Sequence, residues 1–235
     1  EDILAEWAGL GYYARARNLH KCAGVVRDLH GGHFPDTEDA LLDLPGIGAY
    51  TAAAIAAIAF GIPATPVDGN FERVMARMHK IKTPLPDAKP ELKRLSTALT
   101  PQQRPGDYAQ AVMDLGATIC TPRKPKCPAC PWSAFCEGRI AGLAEELPKK
   151  KKKAPKPTRK GIAFWIVNGR VEILLRRRPP EGLLGGMVEI PSSAWREAEQ
   201  PLHDSLAGAP IKAEWTALPG SVRHTFTHFH LDLVV

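Results

Sequence analysis

At 235 residues with a net charge of +6 and five cysteines, the chain is long enough for two modest hydrophobic cores and too poor in cysteine for a disulfide-built secreted module. It holds no apolar run of the ~20 residues that a membrane-spanning helix needs. The positive balance is local: residues 148–160 carry eight lysines and arginines and no acid, so everything else sums to −2, and a polyanion would have to be met by patches rather than by a uniformly basic surface. Glu1 opens directly into helix-like sequence and residues 224–235 stop without a turn, so the chain is expected to be part of a longer protein, cut at both ends.

Residues 1–146 read as helical, with apolar spacing near 3.6. One helix runs over 14–29, with Cys22 as a small buried apolar residue, and closes at Gly31 and Gly32. Asp36 or Thr37 caps a short helix ending near Leu44. Leu44-Pro45-Gly46-Ile47-Gly48 then turns the chain into a helix over 49–60, almost wholly Ala, Ile and Phe; lacking a polar face, it is expected to be central and buried, and Gly61 and Pro63 end it. The glycines of this turn let backbone approach a ligand, and the following helix points its N–H groups outward, which suits a DNA phosphate; an ordinary helix–helix turn reads the same way. Asp68 is placed to cap a helix over 70–78, on which Arg73 and Arg77 read as a solvated face.

Cys120, Cys127, Cys130 and Cys136 stand as C-x6-C-x2-C-x5-C, a loop stiffened by Pro122, Pro125, Pro128 and Pro131. Structural zinc usually takes two C-x2-4-C knuckles, whereas this loop has one knuckle flanked by lone cysteines; the spacing favours a [4Fe–4S] cluster, with zinc second and disulfides third. The Lys/Pro segment that follows is a semi-rigid tether, either simply solvated or touching phosphates. Beyond it, residues 161–167 and 170–176 read as strands joined by the hairpin signal Asn168-Gly169, and 224–235 alternates as one final strand, giving a mixed domain with antiparallel strands.

L-P-G-I-G at 44–48, V-D-G-N at 67–70 and the cysteine loop together resemble the helix-hairpin-helix DNA glycosylases that carry an iron–sulfur cluster. Within them, residues 7–19, 67–70 and 223–230 are similar to the adenine DNA glycosylases, and the likeness runs over essentially the whole chain. The resemblance implies a multi-domain protein: an all-α helix-hairpin-helix glycosylase domain (1–146) with one [4Fe–4S] cluster in the loop 120–136, a basic linker (147–160), and an incomplete α+β Nudix-like lesion-recognition domain (161–235). It implies hydrolysis of the N-glycosidic bond of adenine mispaired with 8-oxoguanine or guanine, in double-stranded DNA, by a monomeric, cytoplasmic, nucleoid-associated protein with no membrane attachment.

Residue by residue, the resemblance makes Asp68 the carboxylate that stabilises the cationic sugar, oriented by Asn70. Tyr50 stands where the bifunctional lyases have their lysine nucleophile, which implies base removal without strand scission. Tyr12 resembles the wedge that fills the gap left by the everted base, with Tyr13 in the core, and Leu44, Gly46 and Gly48 belong to the DNA-binding hairpin. Arg123, Lys124 and Lys126 offer the cluster loop to phosphates. In the second domain, residues 182–186 and Glu189-Ile190-Pro191 look Nudix-related, but Trp195 to Gln200 lacks the carboxylates of a Mg²⁺-binding helix, so no metal is expected there. Phe226-Thr227-His228 resembles the loop that inspects 8-oxoguanine, with threonine where the family most often has serine.

The family's general acid, a glutamate on a preceding helix, is matched by neither Glu1 nor Glu6, so this polypeptide is expected to be nearly inactive. Two other readings are an endonuclease III-like glycosylase/lyase and a non-catalytic iron–sulfur DNA-binding or redox protein.

Overall fold

The computed structural model describes residues 2–152, 154–198 and 202–235; Glu1 and Lys153 lie outside them, as do Glu199 and Gln200 of the stretch compared with a Nudix helix. The chain divides into two units, Glu1–Lys152 and Lys153–Val235, a division that falls inside the basic linker expected from sequence.

The first unit is helical: α1 (Asp2–Glu6), α2 (Tyr13–Leu29), α3 (Glu38–Leu42), α4 (Ala49–Ala59), α5 (Gly69–Met78), α6 (Lys89–Ala98), α7 (Pro105–Thr118) and α8 (Glu137–Ile140), with two short 3-10 turns in the cysteine loop. Local chemistry sets the boundaries. The Thr37 hydroxyl accepts the Ala40 N–H to start α3, and Gly31 and Gly61, both at positive φ, follow α2 and α4. On α4, Ala52, Ala53, Ala56 and Ala57 are buried, and their small size lets α7 come so close that a Cβ on Gly106 would meet the Ala57 carbonyl oxygen at 2.7 Å. The expectation that α4 has no wet face is wrong, since Tyr50, Ile58 and Phe60 are each about 40% exposed or more. Apolar composition all round a helix hides which face its neighbours cover.

α5 is strongly amphipathic. Phe71, Val74 and Met75 enter one core with Leu92 of α6 and Val112 and Leu115 of α7, while Cys22, Val26, Leu41 and Leu44 build a second core around the alanines of α4. The start of the basic segment is fixed rather than loose: Lys149 C=O accepts the Leu85 N–H, Lys151 N–H donates to Leu85 C=O, and Lys151 Nζ stands 2.6 Å from Asp87.

In the second unit β1 (Thr158–Ile162), β5 (His230–Val234) and β4 (Val222–Thr225) form a sheet in the order β1-β5-β4, and β2 (Arg176–Arg177) pairs with β3 (Val188–Glu189). α9 (Leu202–Leu206) lies between β3 and β4 in the chain. The β4–β5 and β2–β3 pairs are antiparallel and β1 runs parallel to β5, while the hairpin expected between 161–167 and 170–176 is reduced to an isolated antiparallel bridge between Val167 and Ile173.

Two further corrections apply to this unit. The single strand expected over 224–235 is a hairpin whose turn, closed by Phe226 N–H to Phe229 C=O at 2.9 Å, contains no Gly, Pro or Asn to announce it. The Asn168-Gly169 turn is wider than two residues: the Asn168 side chain accepts from the N–H groups of Arg170 and Glu172, and Val171 takes the left-handed conformation.

Candidate active site and cysteine loop

At the start of α5, Asp68 is extended, and its side chain turns back over the first turn of the helix. Oδ1 accepts the backbone N–H groups of Asn70 (2.8 Å) and Phe71 (2.9 Å), while Oδ2 accepts the Asn70 side-chain amide (2.8 Å). Both oxygens are thus held, yet the residue stays half-buried rather than sealed. The cap and the candidate catalytic carboxylate are the same group.

Behind Asp68 stands a polar lattice. Asn70 Oδ1 accepts from Arg73, whose guanidinium also reaches the carbonyls of Gly116 (2.7 Å) and Cys120 (2.7 Å). Burial lowers the proton affinity of Arg73, Cys120 and Asp68 oppose that, and the neighbouring Arg77 adds to it. Gly116 of α7 packs on Asn70 so closely that a Cβ there would stand 2.6 Å from Asn70 Cβ.

Arg77, one helix turn further on, is 2% exposed and donates to the carbonyls of Leu147, Cys120, Thr121 and Pro122 and to Cys120 Sγ at 3.2 Å. The solvated face expected for Arg73 and Arg77 is therefore the anchor of the cysteine loop. Buried loop carbonyls need donors, and a guanidinium offers five in a fixed fork. The sequence signal was available, since Asn70, Arg73 and Arg77 stand at i, i+3 and i+7 on one stripe of the helix.

Cys120, Cys127, Cys130 and Cys136 line one cavity together with Arg77, Ile119, Pro125, Ser133, Arg139 and Ala144. Burial pushes the Cys130 thiol up, the Trp132 N–H partly offsets this, and the crowding of Cys120, Cys136 and Cys127 adds to it; four such sulfurs can ionise together only around a cation. Four thiols gathered on one cavity are the donor set that an iron–sulfur cluster takes.

The hairpin turn joins α3 to α4. Gly46 is required twice over, by φ +79° and by a Cβ that would stand 2.6 Å from Asn18 Cβ, whereas Gly48 is exposed and has open space around it. No side chain caps α4, which leaves the N–H groups of its first turn to solvent or a ligand. Leu44, expected among the DNA contacts, is instead a core residue at 2% exposure, with its carbonyl accepting the Ile47 N–H. An apolar side chain beside a turn packs inward where the turn reverses against a second helix.

Tyr12 is 75% exposed in the left-handed conformation (φ 48°), unusual for a bulky residue, with Arg15 lying over its ring at 5.7 Å. Tyr13 is half-buried, its phenol accepting the Gly9 N–H. Tyr12, Arg15, Asn18, Pro45, Gly46 and Thr51 share one open groove of about 510 Å3, so the expected wedge and the expected phosphate turn meet on one surface. Tyr50 lies on α4, 41% exposed, its hydroxyl 3.1 Å from Met113 Sδ on α7. On the cluster loop Arg123, Lys124 and Lys126 are all exposed.

In the second unit, Thr227 and His228 are exposed at the tip of the β4–β5 turn and Phe226 is half-buried. Trp195 to Ala198 form no helix.

Three families match parts of the chain: a helix-hairpin-helix motif at 29–58, the iron-sulfur binding domain of endonuclease III at 120–136, and a NUDIX domain at 162–235. A human adenine DNA glycosylase is 34% identical over 289 residues, covering all of this chain and 53% of that protein. An Arabidopsis thaliana adenine DNA glycosylase is 40% identical over 212 residues, covering 82% of this chain and 33% of that protein. The chain spans about half the length of the human relative. Among solved structures, a thermostable thymine-DNA glycosylase superposes with TM-score 0.53 at 36% identity, over 60% of this chain and 65% of that one. A non-covalent endonuclease III–DNA complex gives TM-score 0.51 at 27% identity, over 60% and 66%.

Proposed function

This chain belongs to the adenine DNA glycosylase family, with a helix-hairpin-helix unit, an iron–sulfur loop and a NUDIX domain, and from that premise we propose that the protein hydrolyses the N-glycosidic bond of adenine paired with 8-oxoguanine or guanine. One observation carries the reading: the half-exposed Asp68 carboxylate has both oxygens fixed by three hydrogen bonds.

Departure of a purine builds positive charge on the sugar. A carboxylate already locked in place stabilises that charge without reorganising, which is the condition for a large electrostatic contribution. Adenine must leave the stack to reach it, and Tyr12, rigidly presented beside the Gly46 turn, fills the space vacated. The free N–H groups at the start of α4 bind a strand phosphate through Gly46 and Gly48. Tyr50 offers a phenol and no amine, so the product is an abasic site and not a Schiff base.

Cys120, Cys127, Cys130 and Cys136 would hold the iron–sulfur cluster, which would cross-link the loop. By resemblance the base is protonated by a glutamate that residues 1–235 do not contain. A polypeptide of these residues alone should therefore excise adenine about 10²–10⁴-fold more slowly than one that carries it. The protein acts as a monomer on cytoplasmic, nucleoid-associated DNA.

The test is cleavage of a labelled A:8-oxoguanine duplex by the protein with that glutamate segment joined to it. Product only after alkali supports the proposal. Nicking without alkali favours a lyase, and no product at all favours a non-catalytic DNA-binding protein.

A further inference from the structure

The turn between β4 and β5 lacks every residue that normally makes a tight turn, so something else must hold it. Rings do. Phe226 and Phe229 stack across the turn with centroids 4.8 Å apart at 29°, and the Trp195 indole stacks on Phe226 at 6.0 Å and 30°. A cation closes each end of this column: Arg178 lies over the indole at 5.0 Å and Arg159 over Phe229 at 4.3 Å. Lys156 Nζ adds a 3.0 Å hydrogen bond to the Phe226 carbonyl.

The indole is itself placed. Its Nε1–H donates to Ser192 Oγ (3.2 Å), and it lies over Gly161 of β1, where a Cβ would come within 2.9 Å of the ring. Phe226 is consequently engaged on the protein side, and only Thr227 and His228 project outward.

We propose that Trp195 is a positioning residue for lesion discrimination: by clamping Phe226 it sets where Thr227 and His228 stand against the purine opposite adenine. The proposal rests on the reading of this turn as the inspector of 8-oxoguanine. 8-Oxoguanine offers an N–H donor at N7 and a carbonyl acceptor at C8, where guanine offers a lone pair and a C–H. Telling them apart takes groups that donate and accept within about 3 Å, which a hydroxyl and an imidazole can do only if the turn does not sway.

The experiment measures equilibrium binding to two duplexes that carry 8-oxoguanine or guanine opposite an abasic-site analogue, so that no catalysis is required. Trp195→Leu should lower the 8-oxoguanine-to-guanine affinity ratio by about 2- to 10-fold, the worth of one aromatic stack, while Trp195→Phe retains most of it. Thr227→Ala serves as the benchmark. If Thr227→Ala lowers the ratio and Trp195→Leu does not, the clamp is refuted while the reading of the turn survives. If Thr227→Ala leaves the ratio unchanged, the turn is not the lesion reader and both fall. Equal loss in the Leu and Phe variants would also overturn the clamp, because it would reduce Trp195 to bulk. Thermal melting of each variant confirms folding, and Trp195→Met replaces the Leu variant should that one fail to fold.

Discussion

Asp68 and the turn at 226–229 are two presented groups held by opposite means. Behind the carboxylate lies a lattice of directional bonds, Asp68 to Asn70 to Arg73 to the Cys120 carbonyl, with Arg77 tying the same loop from the next helix turn. Behind Thr227 and His228 lies a column of rings and two cations, with the Lys156 bond to Phe226 as its polar tie. Hydrogen bonds fix position to tenths of an ångström and leave an unpaired group when one is cut, whereas stacked rings tolerate sliding and lose only contact. Stabilising a charge at a defined sugar atom calls for the first kind of support. Sorting two purines also needs a turn that does not sway, and there the hold comes from stacked rings between two cations.

The sharpest break should come at Arg77. Arg77→Leu leaves the buried carbonyls of Leu147, Cys120, Thr121 and Pro122 without their donor. It should cost about 3–5 kcal/mol, measured by chemical denaturation, together with loss of bound iron. Trp195→Leu should cost only about 1 kcal/mol in the same assay; equal losses would erase the distinction.

Gly116→Ala is the next test. The new Cβ meets Asn70 Cβ and Cα, backbone-anchored atoms that cannot swing away. A cost of about 1–3 kcal/mol is expected, with a fall in excision rate because Asn70 is pushed off Asp68. Unchanged kinetics would show that Asn70 does not orient the carboxylate.

The smallest effect marks where the lattice ends. Tyr108 sits edge-on to Phe71 with its hydroxyl buried and unpaired, and burial pushes its pKa up to about 12. Because the folded value lies above the unfolded 10, the stability it confers is complete below pH 10 and is lost progressively between 10 and about 12. Tyr108→Phe should be neutral or slightly stabilising at pH 7 and should flatten that alkaline loss, as followed by urea midpoints against pH.

Legibility in the sequence follows the range of the interaction. Asp68 as a cap, the α2 and α3 boundaries and the cysteine spacing are written in neighbouring residues, and all can be read there. Arg73 and Arg77 read as solvent-facing because their partners, Cys120 and Leu147, lie more than forty residues away. Leu44 joins the DNA-binding hairpin by resemblance of the L-P-G-I-G motif, yet its own side chain completes a core. The 224–235 segment read as one strand because alternation continues through a turn whose supports Lys156, Arg159 and Trp195 lie far off in sequence.

The central claim is that the fixed carboxylate at position 68 supports the cleavage. Its most direct test is single-turnover adenine release from an A:8-oxoguanine duplex by wild type and Asp68→Asn, each joined to the glutamate segment, with duplex affinity measured in parallel. The account predicts a rate about 10²–10³-fold lower in the variant at unchanged affinity. An Asp68→Asn protein that releases adenine within a factor of about two of wild type would contradict it.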